Sequence, residues 1–292
     1  MRSVKPSKVL VCLLVVNKIE DLPVIAVQSI LEFSESDILI GYIDERDLQK
    51  IPKSSRISLV NLQGQNSQIG NETSQPKYYS DWNDQNFYEI IKLKWELLIY
   101  ALSLNYSFVI YSDVDVIWLS DAAQVIQATF EKRVYLNLQI QSFTYASSSP
   151  KLCMGFIALR SNEYSEQILL QSKKRHWTEA KTNPRIGDDE IITLLYEELG
   201  YPYEFLELPQ FRFPVGEGLN LLKKSRFPGL NMPTPYIFHA NYVVGLRNKR
   251  LLLRLALSRK LRRKFKVRMN IYWFFVLILK QILSITRLGK SN

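Results

Sequence analysis

Two hydrophobic rhythms divide the chain. Short runs that are apolar at every position, VLVCLLVV at residues 9–16 and FVIYS at 108–112, predict strands buried on both faces, as in the middle of a parallel sheet. Longer stretches with apolar residues every three or four positions predict amphipathic helices: IEDLPVIAVQSILEF at 19–33, NFYEIIKLKWELLIYALSLN at 86–105, NEYSEQILLQSKKRHW at 162–177 and DDEIITLLYEELG at 188–200. The last of these opens with carboxylates, which the positive end of a helix favours, and closes at Gly200. SDILIGYID at 36–44, RISLVNL at 56–62, RVYLNLQIQS at 133–142 and MGFIALRS at 154–161 read as further strands. Strand, helix and strand follow one another, so the expected class is α/β: a Rossmann-like, mostly parallel central sheet flanked by helices. The polar stretch 63–81, rich in Gln, Asn, Ser and Gly, predicts a long loop.

The chain has 292 residues, 47% of them hydrophobic, enough to bury a sizeable core. Cys12 and Cys153 lie in apolar segments far apart, with no C-x-x-C spacing, and are expected as buried thiols of a reducing compartment rather than a disulfide. The opening MRSVKPSKVLVCLLVV pairs basic residues with a short apolar run, but no small-residue cleavage site follows. Residues 8–16 are therefore expected as the first strand and not as a signal peptide or anchor.

Asp113 and Asp115, in YSDVDVIWL at 111–119, stand at the end of one buried strand. Along an extended segment, residues i and i+2 share a side, so both carboxylates are expected to project together, with Val114 and Val116 opposite. Two adjacent carboxylates repel, and a divalent cation relieves the repulsion. In open α/β sheets ligands bind outside the carboxyl ends of strands, where this pair is expected. Haloacid-dehalogenase-type phosphatases also place Asp-x-Asp after a buried strand, and GDDE at 187–190 is similar to their second acidic motif. Their pair normally follows the first strand, whereas here a strand, helix and strand come before it.

Lys94 in the helix before that strand, YSDVDVIWLSD, MGFIALRS, GDDEIITLL, LPQFRFPVGEG and FHANYVVGLRNK occur in this order. Together they resemble the nucleotide-diphospho-sugar transferases of the GT-A fold, glycosyltransferase family 77 in particular and family 8 more distantly. The resemblance covers residues 8–250. It implies a metal-dependent enzyme that transfers a sugar from a nucleotide-diphosphate sugar, of the UDP-sugar kind, to a glycan or glycolipid with retention of configuration. Asp113 and Asp115 would hold the metal, with His239 as third ligand, and such a donor set suits Mn²⁺ or Mg²⁺.

The resemblance also implies that Lys94 belongs to the donor site and that Asp188, Asp189 and the vicinity of Gly155 contact the donor sugar. An Asp-Gln pair is usual where this chain has Asp188-Asp189, and an Asn is usual where Cys153 stands, so either aspartate can be the counterpart. Gly245 would let the backbone approach the diphosphate, which Arg247 or Lys249 would neutralise. Asn17 and Asp44, each following an early strand, are the polar residues nearest the expected base site, and both equally suit turns.

The charge is divided unevenly. Of 38 Lys and Arg, 17 lie beyond Glu217 with no acidic residue among them, leaving 21 against 28 acidic residues before it, while the whole chain carries +10. From Arg247 the sequence is basic and leucine-rich, then IYWFFVLIL at 271–279. That run is too short for a transmembrane helix, which needs about 20 residues. It suits a basic amphipathic segment lying on an anionic membrane surface. The expected division is a catalytic domain at 1–248, its nucleotide half about 1–120 and its sugar and acceptor half about 121–248, and a membrane-associating tail at 249–292. A peripheral protein on the cytoplasmic membrane face follows, with no nucleic-acid partner, since no binding motif or aromatic-basic interleaving accompanies the charge. A non-catalytic basic membrane adaptor is the remaining alternative.

Overall fold

The computed structural model describes residues 8–16, 21–63, 85–130, 136–142, 151–183, 185–200, 204–210, 212–215, 235–241 and 245–257. Asn17, most of the predicted loop at 63–81 and the tail from residue 258 lie outside the described residues. In chain order the elements are β1 (Val9–Val15), α1 (Leu22–Phe33), β2 (Asp37–Tyr42), β3 (Ile57–Asn61), α2 (Gln85–Ser103), β4 (Phe108–Ser112), β5 (Val116–Trp118) and α3 (Ala122–Phe130). There follow β6 (Leu136–Ser142), β7 (Lys151–Arg160), α4 (Glu163–Glu179), α5 (Asp188–Glu198), β8 (Phe205–Leu208), β9 (Ile237–His239) and α6 (Leu246–Leu257).

Seven strands form one sheet in the order β3-β2-β1-β4-β7-β6-β8, and β5 and β9 form a separate pair. The sheet is mostly parallel: β1 pairs in parallel with β2 and β4, β2 with β3, and β6 with β8. Only β7 runs against its neighbours β4 and β6. The run FVIYS suggested a strand with parallel neighbours on both sides, and β4 has one of each kind. A strand buried on both faces has the same composition whichever way its neighbour runs, so the pattern cannot report direction.

The alternation along β1 shows why the sheet has two covered faces. Leu10, Cys12, Leu14 and Val16 pack in one layer with Trp95, Leu97 and Leu98 of α2 and Ile168 and Leu169 of α4. Val11, Leu13 and Val15 pack in the other with Ala26, Val27 and Ile30 of α1 and Ala122, Ala123 and Ile126 of α3. Each Val, Leu or Ile among them contributes about 1.5–3 kcal/mol by leaving water, and truncating the fully buried Leu13 to alanine costs about 2–5 kcal/mol. Both cysteines are buried free thiols.

Along β7 the alternation breaks once. Leu152 and Met154 face the α2 layer, but so do Ile157 and Leu159, while Phe156 and Ala158 face the α1 layer. The β6–β7 ladder jumps at the same place, pairing Leu138 with Ile157 and Gln139 with Cys153. The irregularity releases the backbone of residues 154–156 from the β6 ladder and turns it toward the end of β4.

The described residues up to 241 belong to one compact unit and those from 245 to another. The second contains α6, which begins after Gly245 at φ +89°, a left-handed conformation that favours glycine. Residue 248 falls inside this helix. Among the described residues, no helix is long and apolar enough to cross a membrane.

Candidate functional site

The site grows from the end of β4. Asp113 N–H donates to the Gly155 carbonyl at 2.8 Å, and the chain then turns, Val116 N–H donating to the Asp113 carbonyl at 3.0 Å. Asp113 and Asp115 therefore sit in a tight turn and not in the extended segment expected from the strand pattern. Aspartate suits the first position of such a turn, and the turn ends the strand before the pleat can set the side-chain directions. The carboxylates converge all the same. The chain leaves the turn as β5, which pairs antiparallel with β9 so that Val116 lies opposite His239. Ala240 N–H donates to the Asp115 carbonyl at 2.9 Å and locks the register. One ligand atom from each of Asp113, Asp115 and His239 falls within 4.8 Å of the others.

His239 and Asp115 are buried and face one another, Nε2 to Oδ1, at 3.3 Å. Asp113 is more open, its side chain about a third exposed. Its Oδ1 accepts from the Tyr111 hydroxyl at 2.8 Å and lies 3.7 Å from Lys94 Nζ. Lys94 reaches in from α2, forms a 2.6 Å ion pair with Asp188 Oδ2 and stands 4.5 Å over the Tyr111 ring. Burial lowers the pKa of this amine, but Asp113, Asp188 and Asp189 together raise it above the ordinary lysine value. The Tyr111 hydroxyl is held well above its usual pKa by burial and by Asp113 beside it, so it is a proton donor here.

β7 and α5 supply the opposite wall. α5 begins at Asp188 with three consecutive acids, and Glu190 Oε2 accepts from Gly187 N–H at 3.2 Å to satisfy the helix end. The Asp189 carboxyl accepts from Met154 N–H at 2.5 Å, using a backbone donor that the irregular part of β7 frees. Residue 189 keeps some surface, yet its carboxyl group is enclosed. Burial, then the neighbouring Asp188, push its pKa up to about 7. Thr193 completes the join, donating to the Asp189 carbonyl at 2.7 Å and accepting from Leu152 N–H at 3.1 Å.

Of the residues singled out in the sequence, Lys94, Asp113, Asp115, Gly155, Asp188, Asp189 and His239 gather in this one region of the first unit. Asp44 follows β2 and caps the short helical turn Glu45–Leu48, accepting from Arg46 N–H at 2.9 Å and pairing with the Arg46 guanidinium. Gly245 precedes α6 in the second unit, and Arg247 and Lys249 occupy its first turn. Tyr111 and Asn241 were not anticipated. Tyr111 stands two residues before Asp113, where the strand alternation could have found it. Asn241, whose amide donates to Cys153 Sγ at 3.7 Å, has no signal beyond its place after FHA.

Two carboxylates and an imidazole with converging donor atoms fit a divalent cation of the oxygen- and nitrogen-binding kind. The space beside them is kept open by Gly155, since a Cβ there would lie 2.7 Å from Asp113 Oδ2 and 2.8 Å from His239 Nε2.

Residues 36–253 match the family described as nucleotide-diphospho-sugar transferase. Among solved structures, the chain is similar to the glycosyltransferase GlyE of Streptococcus pneumoniae TIGR4, with TM-score 0.53 and 15% identity over 89% of this chain; the chain spans 64% of that protein's length. It is also similar to the galactosyltransferase LgtC, solved in complex with donor and acceptor sugar analogues, with TM-score 0.54 and 11% identity over 87% of this chain and 99% of the other. No curated protein matches in sequence. The structural likenesses carry the fold, and the sequence match extends over well more than half the residues: this chain belongs to the nucleotide-diphospho-sugar transferase family and has the GT-A fold.

Proposed function

We propose that this protein is a metal-dependent retaining glycosyltransferase that moves a sugar from a UDP-sugar to a glycan or glycolipid at the cytoplasmic face of a membrane. The observation that carries the reading is the meeting of Asp113, Asp115 and His239 at the carboxyl end of β4, beside the Lys94–Asp188 ion pair, in a chain of this family. Asp113, Asp115 and His239 would hold a divalent cation, Mn²⁺ or Mg²⁺, which when bound would supply positive charge for a departing diphosphate.

The other roles fall to the chain. Lys94 fixes the Asp113 and Asp188 carboxylates relative to each other, so that the metal-holding and sugar-handling groups are set as one unit. Asp188 and Asp189 hydrogen-bond the donor sugar from the start of α5. Burial, then the neighbouring Asp188, raise the pKa of Asp189, which favours its protonated form, and a protonated carboxyl can donate as well as accept. Asn17 and Asp44 serve the base. The acceptor hydroxyl enters on the face that the diphosphate leaves, through a transition state of oxocarbenium character, and a diphosphate oxygen takes its proton. The basic tail holds the enzyme at its acceptor.

Melting temperature measured with UDP, GDP and several nucleotide sugars, with Mn²⁺ or with chelator, tests the reading on wild type and on Asp113→Ala/Asp115→Ala. Stabilisation by a UDP-sugar that needs Mn²⁺ and disappears in the variant is expected. The same response with chelator removes the metal from the mechanism, and inversion seen by NMR of the product removes retention.

A further inference from the structure

Cys153 is buried at 1% exposure, two residues before Gly155, and its Sγ lies 3.8 Å from His239 Nδ1. The other ring nitrogen, Nε2, is the one that faces Asp115. The sulfur is thus on the far side of the imidazole from the carboxylates, and it is not among the atoms that converge with Asp113 and Asp115. Asn241 donates to the same sulfur from a third direction, at 3.7 Å. A neutral imidazole binds a cation through the lone pair of one nitrogen only when the proton sits on the other, and an acceptor for that proton fixes which is which.

We propose that Cys153 is a positioning residue: its sulfur, held by Asn241, accepts the Nδ1–H of His239 and so keeps the Nε2 lone pair directed at the cation site of Asp113 and Asp115. The inference rests on the metal-dependent reading proposed above. It assigns the thiol a task other than ligation. A thiol sulfur is a weak acceptor, so it biases the tautomer more than it enforces it. Asn241 matters because a side chain with a free χ1 would hold the acceptor less well.

The test measures Mn²⁺ affinity of the full chain by the EPR signal of the free ion, without nucleotide, for wild type, Cys153→Ser and Cys153→Ala. Loss of an acceptor behind a ligating histidine weakens binding by about tenfold in Cys153→Ala, while the serine hydroxyl, which accepts the same proton, keeps it within about threefold. Equal affinity in all three overturns the inference and leaves the metal reading standing; no Mn²⁺ binding by wild type overturns both. A second measurement needs no variant. The chain has two histidines, so ¹⁵N-histidine-labelled wild type with Mg²⁺ gives two imidazole patterns. His239 is expected as the Nδ1–H tautomer, and the Nε2–H tautomer overturns the assignment.

Discussion

Gly155 lies so close to His239 that a Cβ on it would stand 2.2 Å from the imidazole Cε1. Its backbone is not among the left-handed glycines, so the constraint is space and not conformation. The residue belongs to the irregular part of β7 that also accepts Asp113 N–H, and the same few atoms therefore set the height of both ligands.

Gly155→Ala tests this directly. The methyl must displace His239 and Asp113 together, because both lie within the distance at which real Cβ atoms are not found. Overpacking of this kind costs about 1–3 kcal/mol of stability. The larger effect is expected on Mn²⁺ titration, where affinity falls by at least about tenfold. A variant that binds Mn²⁺ like wild type would show that the glycine is not what keeps the ligands in place.

Lys94→Met tests the ion pair across the site. Lys94 and Asp188 are 6% and 7% exposed, so removing the ammonium leaves the Asp188 charge buried with its partner gone. Breaking a buried pair from one side costs about 3–5 kcal/mol, read by urea unfolding in chelator. Lys94→Met/Asp188→Asn removes both charges and is expected to recover more than half of that loss. Additive effects in the double variant would mean that the two residues do not act as a pair.

Much of this site could be read in the sequence, and what could not has a common cause. The run 108–112 fixes β4, and the acids after Gly187 fix the start of α5, because both are local signals: unbroken apolar residues in one, helix-end charge in the other. The meeting of His239 with Asp115 depends on β5 pairing with β9, two three-residue strands more than a hundred positions apart. Neither strand has a pattern that names its partner. The break in β7 was equally hidden, since LCMGFIALR is apolar on both faces and a change of side leaves no mark in the hydrophobic pattern. The turn at Asp113 shows the converse. There Asp113 and Asp115 converge through a tight turn and not through an extended strand, because either geometry can bring residues i and i+2 to one side.

Asp189→Asn is expected to stabilise the metal-free protein at neutral and higher pH. The folded carboxyl has its pKa pushed up to about 7, against an ordinary value of 3.8, first by burial and then by Asp188. As pH rises through that window the unfolded chain releases the proton first, so wild type loses stability progressively until the folded group also ionises. Asparagine has no proton to release and can still accept from Met154 N–H. Melting in chelator from pH 4 to pH 8 should show variant and wild type nearly equal at the acid end, with the variant ahead by roughly 4 kcal/mol at the other. Parallel curves would mean that the carboxyl titrates normally. Transfer activity is expected to fall in the same variant, which separates the stability effect from the catalytic one.

Residues 258–292 hold ten of the 17 basic residues found beyond Glu217, together with the apolar run 271–279. A chain ending after Leu257 keeps α6 whole and loses both. If each basic residue near an anionic leaflet contributes about 1 kcal/mol, three engaged residues already change partitioning by about 100-fold. Full-length protein is expected to sediment with phosphatidylserine-containing vesicles, to do so less in raised salt, and to stay in solution with pure phosphatidylcholine. The shortened chain is expected to stay in solution with both. Equal sedimentation of the two forms would place the attachment elsewhere, and salt-independent binding of the full chain would assign it to the apolar run and not to the charge.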